Sequence, residues 1–128
     1  MPLPHAWLVK PHQTQPRILD WAERYPELVE LDSVQQFVGF NVYVLTVTDS
    51  RVPNESKMKC LFTQPHAHEP ATTAACMNFL SQLLDGCHLD GTPTDLDRDR
   101  ILNETVLSFM PDGNPEGRAR SPELCWDG

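Results

Sequence analysis

His66 and Glu69 form an H-x-x-E pair within the segment QPHAHEP, residues 64–70. An imidazole and a carboxylate are two of the usual ligands of protein-bound zinc. The apolar run Met58–Phe62 comes just before the pair and predicts a buried strand. Ligands of open α/β sheets bind beyond the carboxyl ends of strands, which is where this pair falls. The spacing therefore predicts a metal site with His66 and Glu69 as ligands.

Two other interpretations of the same residues remain open. Acidic residues are common at helix starts, so Glu69 could simply stabilise the positive end of the following helix while His66 lies in a loop. His68 is two residues from His66, and alternate residues of an extended segment point to the same side, so an H-x-H pair can also chelate. We expect His68 to be a neighbour of the metal site and a substrate-side contact.

Hydrophobic periodicity predicts the elements that hold these residues. Residues 1–13 show no sustained period and predict an irregular lead-in, after which a helix begins at Thr14 and ends before Pro26. A second helix, Pro70–Asp85, is followed by Gly86 as a left-handed cap. Strands are predicted at 28–34, 40–48, 58–62 and 103–110. Because the second helix joins the last two strands, those strands should pair in parallel. The fold class is α/β, with a mixed β-sheet and flanking helices.

Composition limits the classes of function. The 128 residues carry a formal net charge of −8, which argues against non-specific binding to nucleic acids or to anionic membranes. No apolar run approaches the ~20 residues of a membrane span. The N-terminal sequence lacks a basic segment followed by an apolar one, so we predict no signal peptide and a cytoplasmic location. The four cysteines form no C-x-x-C pair and are predicted to be free buried thiols.

Four segments of the chain form a recognisable set: RYPELV at 24–29, GFNVY at 39–43, H-x-x-E at 66–69, and FMP with NPEGR at 109–111 and 114–118. Together they resemble the N-terminal part of the zinc metallocarboxypeptidase (funnelin) catalytic domain. The resemblance implies a partial three-layer carboxypeptidase-like fold over residues 14–128, with zinc as the cofactor and a peptide or protein C-terminus as the substrate.

The resemblance also implies roles for individual residues. His66 and Glu69 occupy the positions of the family's first two zinc ligands, and His68 replaces an arginine that many members place between them. Asn114 and Arg118, in and after the Asn-Pro-Glu-Gly turn, would contact the substrate. The implied chemistry is the hydrolysis of C-terminal peptide bonds by zinc-activated water.

The sequence departs from the family where catalysis is concerned. Active members need a third ligand, a histidine, about a hundred residues after the H-x-x-E, and a catalytic glutamate beyond it. Only 59 residues follow Glu69, so we predict a truncated domain that is inactive alone and self-associates through an exposed sheet edge. Two alternatives are a zinc amidohydrolase that deacylates small amino-acid derivatives and a non-catalytic binding module.

Overall fold

The computed structural model describes residues 7–36 and 39–121. The predicted α/β class with a mixed sheet and flanking helices is confirmed. Within these residues the chain forms, in order, α1 (Pro11–Arg24), β1 (Val29–Gln35), β2 (Asn41–Val47), β3 (Met58–Thr63), α2 (Pro70–Asp85), α3 (Arg98–Glu104), β4 (Thr105–Met110) and α4 (Pro115–Arg120). None of the helices in these two ranges has the length and apolar character of a membrane span.

The four strands form one sheet in the order β1-β2-β4-β3. β2 pairs antiparallel with both β1 and β4. β3 and β4 pair in parallel, with Met58 opposite Thr105 and Thr63 opposite Met110. The parallel pairing predicted from the crossover helix is therefore confirmed. Their carboxyl ends also lie side by side, which places the segments after Thr63 and after Met110 at one edge of the sheet.

Helix α2 supplies much of the core. Met77, Leu80 and Leu83 are fully buried and belong to one apolar cluster with Leu45 and Phe109 of the sheet. Full burial of each such side chain stabilises the fold by about 1.5–3 kcal/mol. The helix has the predicted bounds, and Gly86 ends it with a φ of 74°. On the same helix Ala74 is buried and Ala75 is exposed.

Helix α1 begins three residues earlier than predicted, so residues 11–13 are helical rather than irregular. Pro11 occupies the first turn, where its missing N–H costs no hydrogen bond. The side-chain oxygen of Gln13 accepts hydrogen bonds from the backbone N–H groups of Val9 and Lys10, at 3.2 and 3.0 Å. These contacts satisfy the start of the helix, and Pro16 follows inside it.

The prediction that β3 is buried is wrong. Met58 and Leu61 are each 68% exposed. Phe62 is 37% exposed, although its ring stacks on that of Phe109 with a centroid separation of 5.0 Å. β3 lies at the edge of the sheet, and its apolar run was mistaken for that of a central strand. Cys60 of this strand is only partly buried. Cys60, Cys76 and Cys87 are free thiols, and Cys125 lies outside the described residues.

Two short helices, α3 and α4, occupy segments for which the sequence predicts a loop or a strand. α3 includes residues 103 and 104, which were predicted to begin β4. Its N-cap is Asp97, whose carboxylate accepts from the N–H of Arg100 at 3.1 Å. α4 starts after Asn114, whose side chain accepts from the N–H of Gly117. Both aspartate and asparagine are common N-caps, but such short helices show too little periodicity to be predicted.

Candidate metal centre

The loop that carries the H-x-x-E pair connects β3 to α2 and is anchored to the end of β4. The backbone N–H of Gln64 donates to the carbonyl of Met110 at 3.0 Å, and the N–H of Gly113 donates to the carbonyl of Gln64 at 2.8 Å. In the first turn of α2, Thr73 donates from Oγ1 to the carbonyl of Pro111 at 2.8 Å. The loop therefore lies beyond the carboxyl ends of two parallel neighbours, as the sequence predicts.

The structure brings His66 and Glu69 together at the surface. Nδ1 of His66 lies 3.0 Å from Oε2 of Glu69, and the two side chains are 70% and 51% exposed. Glu69 is the N-cap residue of α2, but its carboxylate makes no capping hydrogen bond. The acid therefore turns back to the imidazole instead of closing the helix end. Both groups remain accessible to an ion from solvent.

The spacing of these two atoms suits a shared metal. Nitrogen and oxygen ligands lie about 2.0–2.2 Å from zinc, so two tetrahedral ligands are roughly 3.3–3.5 Å apart. The observed 3.0 Å differs from this by a few tenths of an ångström. Residues 7–36 and 39–121 contain no group of three or more His, Cys, Asp or Glu side chains arranged to hold a metal. Within the described residues, His66 and Glu69 therefore form a pair of candidate ligands, whereas a catalytic zinc site needs three protein ligands.

The other predicted site residues lie around this loop. His68 is exposed in the middle of it. Asn114 is half-buried, and its Oδ1 accepts from the N–H of Gly117 at 3.1 Å and from Nε2 of Gln36 at 3.3 Å. Asn114 therefore shapes the turn that begins α4.

Arg118, for which the resemblance implies a substrate contact, lies inside the protein and is only 1% exposed. Its Nη1 donates to the carbonyl of Ala67 at 2.5 Å. Lys10 in turn donates from Nζ to the carbonyls of Arg118, Ala119 and Ser121 at the end of α4. Because its guanidinium is used inside the protein, Arg118 supports the loop and does not present its charge to a substrate.

Asp112 is a second residue near the site that the sequence did not reveal. It is 9% exposed, Oδ1 accepts from the N–H of Asn114 at 3.1 Å, and Oδ2 has no hydrogen-bond partner among the described residues. Burial raises the pKa of Asp112 to about 6, although the Asn114 N–H and the charge of Arg118 oppose the rise. It borders a cavity of about 10 Å³ lined also by Thr14 and Tyr43. An isolated Pro-Asp dipeptide gives no sequence signal for such burial.

Comparison with known families decides the lineage. The sequence profile of the zinc carboxypeptidase family matches residues 18–126. The chain belongs to the zinc carboxypeptidase family. This match favours the peptidase lineage over the amidohydrolase alternative. No curated protein matches the sequence.

Several solved structures share the fold of this member of the zinc carboxypeptidase family. Carboxypeptidase A from Helicoverpa armigera superposes with a TM-score of 0.73 at 17% identity, over 91% of this chain and 27% of that one. Thrombin-activatable fibrinolysis inhibitor superposes with a TM-score of 0.70 at 21% identity, over 91% of this chain and 29% of that one. The bovine form of that inhibitor, solved in complex with tick carboxypeptidase inhibitor, superposes with a TM-score of 0.66 at 20% identity, over 90% of this chain and 34% of that one. The chain thus spans about a third or less of these structures.

Proposed function

We propose that this chain provides two zinc ligands, His66 and Glu69, of a metallocarboxypeptidase site that hydrolyses C-terminal peptide bonds. The observation that carries the proposal is the 3.0 Å approach of His66 Nδ1 to Glu69 Oε2 beyond the end of β3. The family match supports zinc as the metal. Zinc at such a site lowers the pKa of a bound water and polarises the scissile carbonyl.

The roles of the chain's own side chains follow from their positions. His66 and Glu69 are exposed, so they can take up an ion without rearranging the core. His68 is exposed beside them and is proposed as a contact for the peptide substrate. Asn114 is proposed as a second substrate contact, through its amide nitrogen, because its Oδ1 is already used in the turn. The role proposed for Arg118 is support of the loop.

We further propose that the 128-residue chain alone is inactive or nearly so. The described residues offer two metal ligands, whereas a catalytic zinc site uses three protein ligands and leaves one position for water. Two ligands also bind zinc weakly, because affinity grows with the number of preorganised donors. Purified chain with added zinc and a panel of peptides with free C-termini tests this. Turnover that a chelator abolishes would contradict inactivity.

Zinc binding is tested separately from turnover. Zinc sulfate is titrated into the chain while the imidazole resonances of its histidines are followed by NMR. We expect the His66 resonances to move and the binding to be lost in His66→Ala and Glu69→Gln. His88→Ala is the matched control, since His88 lies beyond the other end of α2, where it contacts Asn78. If no zinc binds, or if binding survives both site variants, the proposal is wrong and a non-catalytic module is the better interpretation.

We also propose that the chain self-associates through β3. In the described sheet this strand is paired on one side only, and it exposes Met58 and Leu61. Unpaired backbone groups beside apolar side chains favour strand addition. Sedimentation velocity over a range of concentrations tests this, and a monomer at all of them would contradict it.

A further inference from the structure

Gln64 holds both ends of the loop that carries the metal-ligand pair. Its side chain is buried, with 3% of the residue exposed. Oε1 accepts from the backbone N–H of His66 at 2.9 Å, and Nε2 donates to the backbone carbonyl of Glu69 at 2.6 Å. One carboxamide therefore bonds to the backbone of both proposed ligands.

The backbone of Gln64 is fixed as firmly as its side chain. Its N–H donates to Met110 and its carbonyl accepts from Gly113, so the residue is joined to β4 and to the turn after it. All the polar groups of the residue, in the backbone and in the carboxamide, are thus engaged. Gln64 therefore attaches the start of the loop firmly to the sheet.

Apart from the hydrogen bond of Arg118 to the carbonyl of Ala67, the described residues give the loop few other contacts that hold its shape. Pro65 has no N–H and cannot donate a hydrogen bond. The direct backbone bond across the loop, from Glu69 N–H to the His66 carbonyl, is long at 3.3 Å. Ordering each backbone residue costs about 1–2 kcal/mol, so a loop without the Gln64 bonds would sample other conformations. His66 and Glu69 would then meet less often.

We propose that Gln64 is a positioning residue for zinc at His66 and Glu69, an inference that rests on the proposed function. It acts on the ligands' backbone and touches neither the metal nor the substrate. Loss of outer partners of metal ligands typically weakens metal affinity about 10–100-fold. We expect a loss in this range when both carboxamide bonds are removed.

Two variants separate the two bonds. Gln64→Met keeps the length of the side chain and removes both bonds. Gln64→Glu keeps an acceptor for the N–H of His66 but replaces the donor to the carbonyl of Glu69, and it also covers the case in which Gln64→Met fails to fold. Gln15→Met is the matched control, because Gln15 also donates from Nε2 to a backbone carbonyl, that of Asn41, at 2.9 Å in another part of the fold.

Two measurements are made on each variant of the full chain. Amide hydrogen exchange at His66, without metal, reports the bond to Oε1, and zinc titration followed through the His66 imidazole resonances reports affinity. We expect Gln64→Met to speed exchange and weaken zinc binding at least tenfold. Gln64→Glu should weaken binding with less effect on exchange, and Gln15→Met should change neither.

The outcomes distinguish the two hypotheses. Zinc affinity within twofold of wild type in Gln64→Met, or an equal loss in Gln15→Met, overturns the positioning role and leaves the proposed function standing. A wild-type chain whose His66 resonances do not respond to zinc refutes the proposed function, and the positioning role with it. Faster exchange in Gln64→Met without weaker zinc binding shows a purely structural brace, which also overturns the inference.

Discussion

Arg118 donates a hydrogen bond from Nη1 to the carbonyl oxygen of Ala67, 51 positions earlier in the chain. Ala67 lies between the two proposed zinc ligands, so this contact joins α4 directly to the candidate metal centre. Both residues are buried. Helix α4 therefore supports the middle of the loop, while Gln64 holds its two ends.

Replacing Arg118 with methionine should destabilise the fold by about 2 kcal/mol or more. The change keeps most of the buried aliphatic stem but leaves the Ala67 carbonyl without this donor, and an unsatisfied buried acceptor costs about 1–3 kcal/mol. Urea denaturation measures the free energy of unfolding. Arg120→Met is the control, since Arg120 is exposed and pairs with Glu116 on the surface, where such pairs contribute less than about 1 kcal/mol. Equal losses in both variants would contradict a special role for Arg118.

Asp85 joins α1 to the end of α2, and its replacement by asparagine should also destabilise the chain. Trp21 Nε1 and Tyr25 OH each donate to its carboxylate at 2.7 Å, and Arg24 Nη1 lies 3.0 Å away. Asparagine offers a single acceptor oxygen, so one of these donors would lose its partner at a cost of about 1–3 kcal/mol. Asp20→Asn is the control, because Asp20 is half exposed and also contacts Arg24.

The loss at Asp85 should depend on pH. Partial burial raises the pKa of Asp85, but hydrogen bonds from Trp21, Tyr25 and Arg24 outweigh it, so the pKa is lowered overall. A lowered folded-state pKa gives stability that is present above the unfolded value of about 3.9 and lost as the pH falls through the folded value. The difference in free energy of unfolding between wild type and Asp85→Asn should therefore become smaller below pH 4. A gap that widens there would contradict this account.

Local sequence signals predicted the parts of the fold that depend on local periodicity. The run from Pro70 to Asp85 with Gly86 after it defined α2, and the crossover it makes fixed the parallel pairing of β3 and β4. The H-x-x-E spacing correctly placed His66 and Glu69 together at the end of a strand. Their role as zinc ligands stays a prediction.

The remaining features depend on contacts between distant residues, which periodicity does not reveal. The apolar run at 58–62 has the composition of a central strand, and its edge position follows only from the sheet order. Arg118 looks like a surface residue in the sequence, because its buried partner Ala67 is 51 positions away. Gln64 and Asp112 likewise owe their burial to the meeting of the β3 and β4 ends.

Leu61→Lys should reduce the self-association proposed for β3 while leaving the stability of the monomer nearly unchanged. Leu61 is 68% exposed, so a lysine there loses little packing, and a charge on an edge strand opposes strand addition. Sedimentation velocity of wild type and variant measures the change. Val34→Lys is the control, because Val34 is 72% exposed on β1 at the opposite edge. Dissociation by Val34→Lys but not by Leu61→Lys would assign the interface to β1 instead.

Asp112→Asn should stabilise the protein near neutral pH. In the folded state the pKa of Asp112 is about 6, above the unfolded value of about 3.9, so folding favours the protonated acid. The stability from this group is fully present below pH 4 and falls as the pH rises to about 6, by up to ~3 kcal/mol. Asparagine is neutral throughout and keeps an oxygen for the N–H of Asn114.

Urea denaturation at pH 4.5 and pH 7.5 measures this difference for wild type and Asp112→Asn. The free energy of unfolding of the variant should exceed that of wild type at pH 7.5. The two values should converge at pH 4.5, because the carboxyl group of Asp112 is then largely protonated in the folded wild type. Asp95→Asn is the control, since Asp95 is exposed in the connection between α2 and α3. Should Asp112→Asn be less stable than wild type at pH 7.5, the buried carboxylate must be held by a favourable interaction stronger than the cost of its burial.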